Sequence, residues 1–333
     1  MKTREVCIIG NGISAYYFLF SLINKNINFN IDITWIYSSN TFTRVDDKIW
    51  PIISLNGISK GFNALGDNLY DSFHCFSKYQ GKYSYATSLK QYCFFKEENS
   101  ESKDKFLRRH NSISGFEFGN DNYNGAVLES YFVKPWFFFN EIDLLLQKQK
   151  NIKIKKLNQL VVDVNEGPAG HNVVFHNNSV LKTRNLFIFS GTGSKFLPIN
   201  FYLGSKTQRN KNSYGKIYEI QNINLKTEPF ILSDEKQNII YDGKSTIQTN
   251  ISPIEKDSYL ADLFHAQFGL LFGKDYDVYL GARDKGPKRL PQIYIDNYDG
   301  RFIFKLSGLY KNAWTIALKE VIKVVDIWID KKV

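Results

Sequence analysis

Residues 5–22 read Glu-Val-Cys-Ile-Ile-Gly-Asn-Gly-Ile-Ser-Ala-Tyr-Tyr-Phe-Leu-Phe-Ser-Leu. Within them Gly10, Gly12 and Ala15 hold the spacing Gly-x-Gly-x-x-Ala, straight after a short apolar run at 6–9. The chemistry such a pattern serves is the binding of a diphosphate. Gly10 permits a tight turn from strand to helix. Gly12 leaves the backbone open to a pyrophosphate that any side chain would strike, and Ala15 keeps the helix close to its strand. The amides of the first helical turn, with Ser14 among its residues, then point at the anion. An ordinary glycine turn in an α/β protein is the other reading of the same residues.

Few other residues compete for a chemical role. The five histidines (His74, His110, His171, His176, His265) form no metal-ligand spacing, and Cys7, Cys75 and Cys93 form neither a zinc pattern nor a paired framework. No Ser-His-Asp or Cys-His arrangement can be argued from their order. Arg283 lies in the segment Gly-Ala-Arg-Asp-Lys-Gly-Pro-Lys-Arg-Leu-Pro at 281–291. By itself it reads as an edge-strand arginine paired with Asp284 or another carboxylate, or as a residue with a functional role.

These residues must be carried by a fold, and 333 residues suffice for one large or two medium domains. The 6–9 run reads as a fully buried strand, and 31–37 alternates as a second one. A dinucleotide-binding strand at that position ends in Asp or Glu, which takes the ribose hydroxyls. Here the end is Tyr37-Ser38-Ser39-Asn40, with Asp32 at the opposite end, so Ser38 or a neighbour is the expected ribose contact. The glycine-rich stretch 56–66 suits a loop packing on a flat ligand or a plain surface loop. The charged stretch 97–110 reads as a solvated insertion or mobile lid, with Arg108, Arg109 and His110 at the surface. An amphipathic helix follows at 137–150, then strand material at 152–164, a hairpin at 171–180, and a buried strand running into Ser190-Gly191-Thr192-Gly193. Residues 214–300 alternate as short strands. The chain closes with a strand at 301–306, a turn at Ser307-Gly308 and a helix over 313–329. A βαβ start, a mixed middle and a return of buried strand imply two domains interleaved in sequence.

Composition narrows the setting. The chain carries 43 Lys and Arg against 33 Asp and Glu, a net charge of +10, which reads either as an anionic partner or as a scattered, solvated surface. The 27 Phe and 20 Tyr imply an aromatic interior or pocket. Cysteine usage points to a reducing, cytoplasmic setting. With the first strand starting at residue 5, no cleaved signal is expected, and with no run of about 20 apolar residues, no membrane helix is expected.

Taken together, the motifs resemble the FAD-dependent oxidoreductases of the D-amino-acid-oxidase fold, a group that includes glycine oxidase, sarcosine oxidase and the oxidase module of a tRNA-modifying enzyme. The residues that carry the resemblance are Gly10-x-Gly12-x-x-Ala15, Pro135 with the following helix and Val161-Val-Asp-Val164, Phe187-Ile-Phe-Ser190-Gly191-Thr192-Gly193, Arg283 eight residues before Pro291, and Gly308-Leu-Tyr310-Lys311-Asn312-Ala313-Trp-Thr315. The resemblance implies an α/β fold with a Rossmann-like FAD-binding domain of the glutathione-reductase type (1–78, 134–213, 300–333) interleaved with a β-rich substrate domain (79–133, 214–299). It implies FAD as cofactor, contacted by the backbone of Val161, by Ser190, Gly191 and Thr192, and by the closing turn with Gly308, Tyr310, Lys311, Asn312 and Thr315. Arg283 would hold a substrate carboxylate over the flavin, and a C–N bond of an amine or amino-acid-like small molecule would be oxidised, with oxygen as final acceptor. Other flavin chemistry (monooxygenase, halogenase, alcohol oxidase), a degenerate noncatalytic protein of the same fold, and a tRNA substrate are the alternatives. Ala313 stands where the family has Gly, and no cysteine near Lys311 offers a covalent flavin link.

Overall fold

The computed structural model describes residues 2–39, 48–56, 60–61, 63–80, 85–95, 100–110, 112–191, 193, 211–234, 236–253, 258–269, 275–298 and 300–330. In chain order the elements are β1 (Thr3–Ile9), α1 (Ile13–Ile23), β2 (Asn30–Tyr37), β3 (Ile52–Ser54), α2 (Ala64–Gln80), β4 (Ala86–Phe94), α3 (Ser100–His110), β5 (Ser114–Phe118) and β6 (Asp121–Val133). There follow α4 (Pro135–Lys148), β7 (Ile152–Asn158), β8 (Val161–Gly167), β9 (Gly170–Phe175), β10 (Val180–Thr183), β11 (Asn185–Ile188) and β12 (Lys211–Ile220). The chain ends with β13 (Phe230–Ser233), β14 (Asn238–Tyr241), β15 (Ile247–Thr249), α5 (Tyr259–Phe268), β16 (Asp277–Lys285), β17 (Gln292–Tyr298), β18 (Arg301–Ser307) and α6 (Ala313–Ile329). Contacts divide it into two compact units, one of Met1–Asp46, Trp136–Ser213 and Ala282–Val333, the other of Asp47–Pro135 and Tyr214–Gly281. Residues 47–78, assigned from sequence to the first domain, thus fall in the second unit, and 282–299 fall in the first.

The first unit is built on a six-stranded sheet in the order β17-β18-β11-β1-β2-β7. Every neighbouring pair is parallel except β17 with β18. A parallel strand covered on both faces must be apolar on both, which is why Val6 to Ile9 form an unbroken buried run. Helix α1 is apolar around its whole circumference, and Ile13 through Leu22 are all buried. Its aromatic residues interlock with those of two other helices: Tyr16 lies 4.4 Å from Phe139 and Tyr17 lies 6.0 Å from Trp314, centroid to centroid. The Tyr17 hydroxyl donates to the Trp314 carbonyl at 2.8 Å, tying α1 to the start of α6. The three-stranded antiparallel sheet β10-β9-β8 supplies a second cluster, in which Val164, Val173 and Phe175 pack with Ile9, Ile36 and Ile188. The many aromatic residues therefore serve largely as interior packing.

The second unit is a sheet in the order β16-β12-β15-β14-β13-β4-β6-β3, with β5 paired to β6. Its helices α2, α3 and α5 were not legible as such. Helix α2 begins inside the stretch read as a glycine-rich loop, of which residues 57–59 and 62 lie outside the described set. Leu65, Leu69, Phe73 and Phe76 are its buried stripe at helical spacing. Helix α5 carries both end signals: Ser258 Oγ accepts from the Ala261 amide at 3.2 Å, and Gly269 closes it in the left-handed conformation at φ 63. Removing the cap in Ser258→Ala is expected to lower stability by about 1 kcal/mol. A denaturant midpoint equal to that of the parent protein would show that the cap contributes nothing.

The charged stretch at 97–110 is the clearest correction. Its described part is helix α3, docked by Phe106, which is 5 % exposed and lies 5.5 Å from Phe95. Phe106 is the buried aromatic residue by which this largely polar helix docks. His110 is not a plain surface residue either: it packs 4.3 Å from Phe106, and its buried Nδ1 has no hydrogen-bond partner among the described residues. Burial, and then the charge of Arg109, pull its pKa down to about 4. The folded chain thus binds fewer protons than the unfolded chain between about pH 6.5 and 4, so the stability due to neutral His110 is whole above that window and lost as pH falls through it. Discounted for partial exposure, acidification is expected to cost about 1–2 kcal/mol through this group. His110→Phe should flatten that part of a urea-midpoint profile between neutral and acidic pH, and an unchanged profile would exclude the assignment.

Among the described residues, no helix is long and apolar enough to cross a membrane.

Candidate functional site

Three neighbouring parallel strands, β1, β11 and β18, end at one edge of the first unit's sheet. The register aligns them: Ile9 pairs with Ile188, and Ile188 with Lys305. Beyond these residues the chain enters the turns at Gly10–Gly12, Ser190–Gly191 and Gly308–Leu309. In an open α/β sheet the crevice outside the carboxyl ends of the strands is where ligands bind.

The first turn is held closely. Gly10 has φ +110, and a Cβ there would stand 2.3 Å from the Phe189 carbonyl oxygen. Only glycine fits both the conformation and the space, and the contact brings the first turn against the second. Gly10 N–H donates to the Ile36 carbonyl at 2.9 Å, and Phe189 N–H to that of Ile9 at 2.7 Å. The buried Trp35 indole donates to the Gly10 carbonyl at 2.6 Å. Gly12, by contrast, has φ −80, which any residue adopts. A requirement for glycine at this position comes from what approaches it and not from its backbone. Gly12 begins α1 with no capping side chain and no acid in the first turn. Ser14 and Ala15 are buried, Ala15 completely.

The third turn is clasped from the side. Gly308 has φ +74, and its Cβ would stand 3.0 Å from Gly286 Cα. The Gly308 amide donates to Asp284 Oδ2 at 2.8 Å, Gly286 N–H donates to the Gly308 carbonyl at 3.3 Å, and Lys285 bridges Leu309. A 3-10 turn at Tyr310–Asn312 leads into α6, whose N-cap Asn312 makes no side-chain cap bond and whose first turn has no acid. Two helices thus begin at this edge with neither side-chain caps nor acidic residues. The first turn of any helix carries amides without intrahelical partners and a partial positive charge.

The remaining expected site residues differ in where they lie. Val161 opens β8, shortly after Gln159, whose amide donates to the Tyr37 carbonyl at 2.8 Å. It therefore lies close to the end of β2. Ser38 follows β2 and is half-buried. Its neighbour Ser39 is taken up by Asn158, which donates to Ser39 Oγ at 2.8 Å and accepts from its amide at 3.1 Å. Lys311 is exposed, Asn312 half-buried, and Thr315 buried in the first turn of α6. Thr192 and Asn40 lie outside the described residues. Arg283 is half-buried on β16, directly before Asp284. Strand alternation directs its side chain to the opposite side from Asp284, which bonds the third turn instead. Lys288 and Arg289 are exposed. Sequence reasoning missed Trp35, Asp284 and Gly286. Each acts on a glycine turn in a distant part of the chain, so no local spacing betrays it.

No protein-family model and no curated protein matches the chain. Solved structures do. Glycine oxidase from Geobacillus kaustophilus aligns over 100% of this chain and 96% of its own at a TM-score of 0.71 and 11% identity. The chain has the D-amino-acid-oxidase fold. L-Amino acid deaminase from Proteus vulgaris aligns over 99% of this chain and 91% of its own, with TM-score 0.66 and 12% identity. L-α-Glycerophosphate oxidase from Mycoplasma pneumoniae, solved with FAD bound, aligns over 100% and 96%, with TM-score 0.66 and 13% identity. The similarity is one of backbone architecture, and it covers nearly all of each chain.

Proposed function

We propose that the chain is an FAD-dependent oxidoreductase that oxidises a C–N bond of a small amine or amino-acid-like substrate. The observation that carries this reading is the edge itself: three adjacent strands end in glycine turns, and two uncapped helices start there. A diphosphate is the group that a glycine turn and a helix N-terminus accept together. The fold's solved examples include an oxidase with FAD bound and oxidases or deaminases of amines and amino acids.

The residues present fit FAD at both ends of this edge. Amides of the Gly12–Ala15 turn would hold the diphosphate, and Ser190 and Gly191 would close beside it. The backbone at Val161 would meet the adenine. At the ribose the fit is looser, since Ser38 offers a hydroxyl where a carboxylate would grip two hydroxyls at once. At the other end, Lys311, Asn312 and the start of α6 would stand by the flavin pyrimidine, where helix polarity favours developing negative charge. Bound FAD supplies the two-electron acceptor for the carbon beside the amine nitrogen, with oxygen as the final oxidant. The chain's own part is to bind and orient. The Arg283 guanidinium suits a substrate carboxylate, two parallel N–H bonds fixing a planar anion.

The purified protein, with and without added FAD, tests the reading. Oxidised-flavin absorbance and turnover of an amine panel with peroxide formation are the expected results. Absence of flavin absorbance even after FAD addition would overturn the reading. Consumption of NADPH without amine turnover would move the chemistry to a monooxygenase type.

A further inference from the structure

We infer that the outer face of helix α4 docks a second copy of this chain, the two α4 helices packing antiparallel about a two-fold axis near Leu144. The inner face of α4 is accounted for. Phe138, Phe139, Ile142 and Leu146 are buried, and the rings of Phe138 and Phe139 lie 5.5 and 5.8 Å from that of Trp314. The outer face is not one that water favours. Trp136, Phe137 and Leu144 are 60, 58 and 57 % exposed. Scattered apolar residues on a surface need no explanation, but three on one 14-residue helix do. Phe137, Glu141, Leu144 and Lys148 follow one another at steps of four, three and four residues, which helical periodicity brings onto one stripe. Such a stripe is the seam by which one helix packs on another. A helix that is apolar on two faces has two surfaces to cover.

The charges on the stripe choose the occupant. Glu141 and Lys148 lie seven residues apart, with Leu144 close to midway between them. An antiparallel pairing about Leu144 sets Glu141 of each copy against Lys148 of the other, twice by symmetry, while Leu144 meets Leu144. A parallel pairing would set like charges together. A two-fold interface must be complementary to itself, and this stripe is. Glu141 and Lys148 enter no ion pair among the described residues, whereas Asp143, on the flank of the helix, is already paired with Lys156 at 3.4 Å. An anionic lipid surface fits less well, since Glu141 in the middle of the stripe would face headgroups of its own sign. The helix is about 21 Å long, and a seam that short buries less than a standard interface. The dimer is therefore a weak one, formed at micromolar and higher protein concentrations.

Sedimentation velocity of the full chain over a concentration series tests the inference. The parent protein is expected to pass from monomer to dimer. The Phe137→Ser/Leu144→Ser variant should raise the dissociation constant at least about tenfold. Glu141→Lys and Lys148→Glu should each weaken the dimer, because each opposes like charges at both ends of the seam. The Glu141→Lys/Lys148→Glu double variant should restore it, since exchanging the two charges preserves every pairing. None of these four side chains is buried, so the variants should keep the parent's unfolding midpoint, which separates a lost interface from a lost fold. A chain that stays monomeric throughout, or a dimer indifferent to all these substitutions, would overturn the inference. A double variant as weak as the single ones would overturn the antiparallel pairing. A monomer that co-sediments with phosphatidylglycerol vesicles, and no longer does so in Phe137→Ser/Leu144→Ser, would give the face to a lipid surface instead.

Discussion

Gly10→Ala is expected to lower stability by about 3–5 kcal/mol and to abolish retention of FAD. Two independent penalties act at this position. The conformation at φ +110 is one that an L-residue rarely adopts, and the new methyl would stand 2.3 Å from the Phe189 carbonyl oxygen. That carbonyl belongs to backbone leading into the second glycine turn, so relief can only come from moving one turn off the other. The Trp35 indole on the Gly10 carbonyl and the Ile36 carbonyl on its amide resist that motion. Gly191→Ala is the control. Its φ is +50, but no atom of the described residues stands within 4 Å of the added Cβ, so its cost is confined to about 1–2 kcal/mol of left-handed strain. Chemical denaturation and a fluorescence titration with FAD measure both effects. A Gly10→Ala protein that matches Gly191→Ala in stability and retains flavin would show that the contact between the turns is not the constraint.

Arg283→Ala should lower kcat/KM for carboxylate-bearing amines by about 10²–10³, equivalent to some 3–4 kcal/mol of transition-state interaction. Arg283→Lys should recover only part of it, because an ammonium replaces a two-pronged planar contact by a point charge. The same variants should leave amines without a carboxylate nearly unaffected, which separates recognition from a general loss of structure. The alternative reading of Arg283 as a structural partner of Asp284 predicts a different pattern. Unfolding midpoints would then fall with the activity, and all substrates would suffer alike. The geometry already gives Asp284 another duty, as acceptor for the Gly308 amide.

The features legible in the linear chain were those whose cause is local. The apolar run before Gly10, the alternation of β2 and the helical periodicity of α6 over Ala313–Ile329 depend on spacing within one element. The glycine turns after β1, β11 and β18 were likewise visible one by one, because a glycine that ends an apolar run marks its turn without help from the rest of the chain.

What tertiary structure alone decided is which distant residues meet. Nothing in the spacing of Trp35, Asp284 or Gly286 ties them to glycine turns, because those contacts follow from strand order and register, which packing selects among many alternatives. Phe106 and Leu107 were the only apolar residues in a charged stretch of sequence, and Phe95 gives Phe106 a surface to cover. Helix α2 was hidden by the glycines at its start, although Leu65, Leu69 and Phe73 kept helical spacing. Periodicity reports which face of an element is apolar, whereas the identity of the surface that covers that face exists only once the chain has closed on itself.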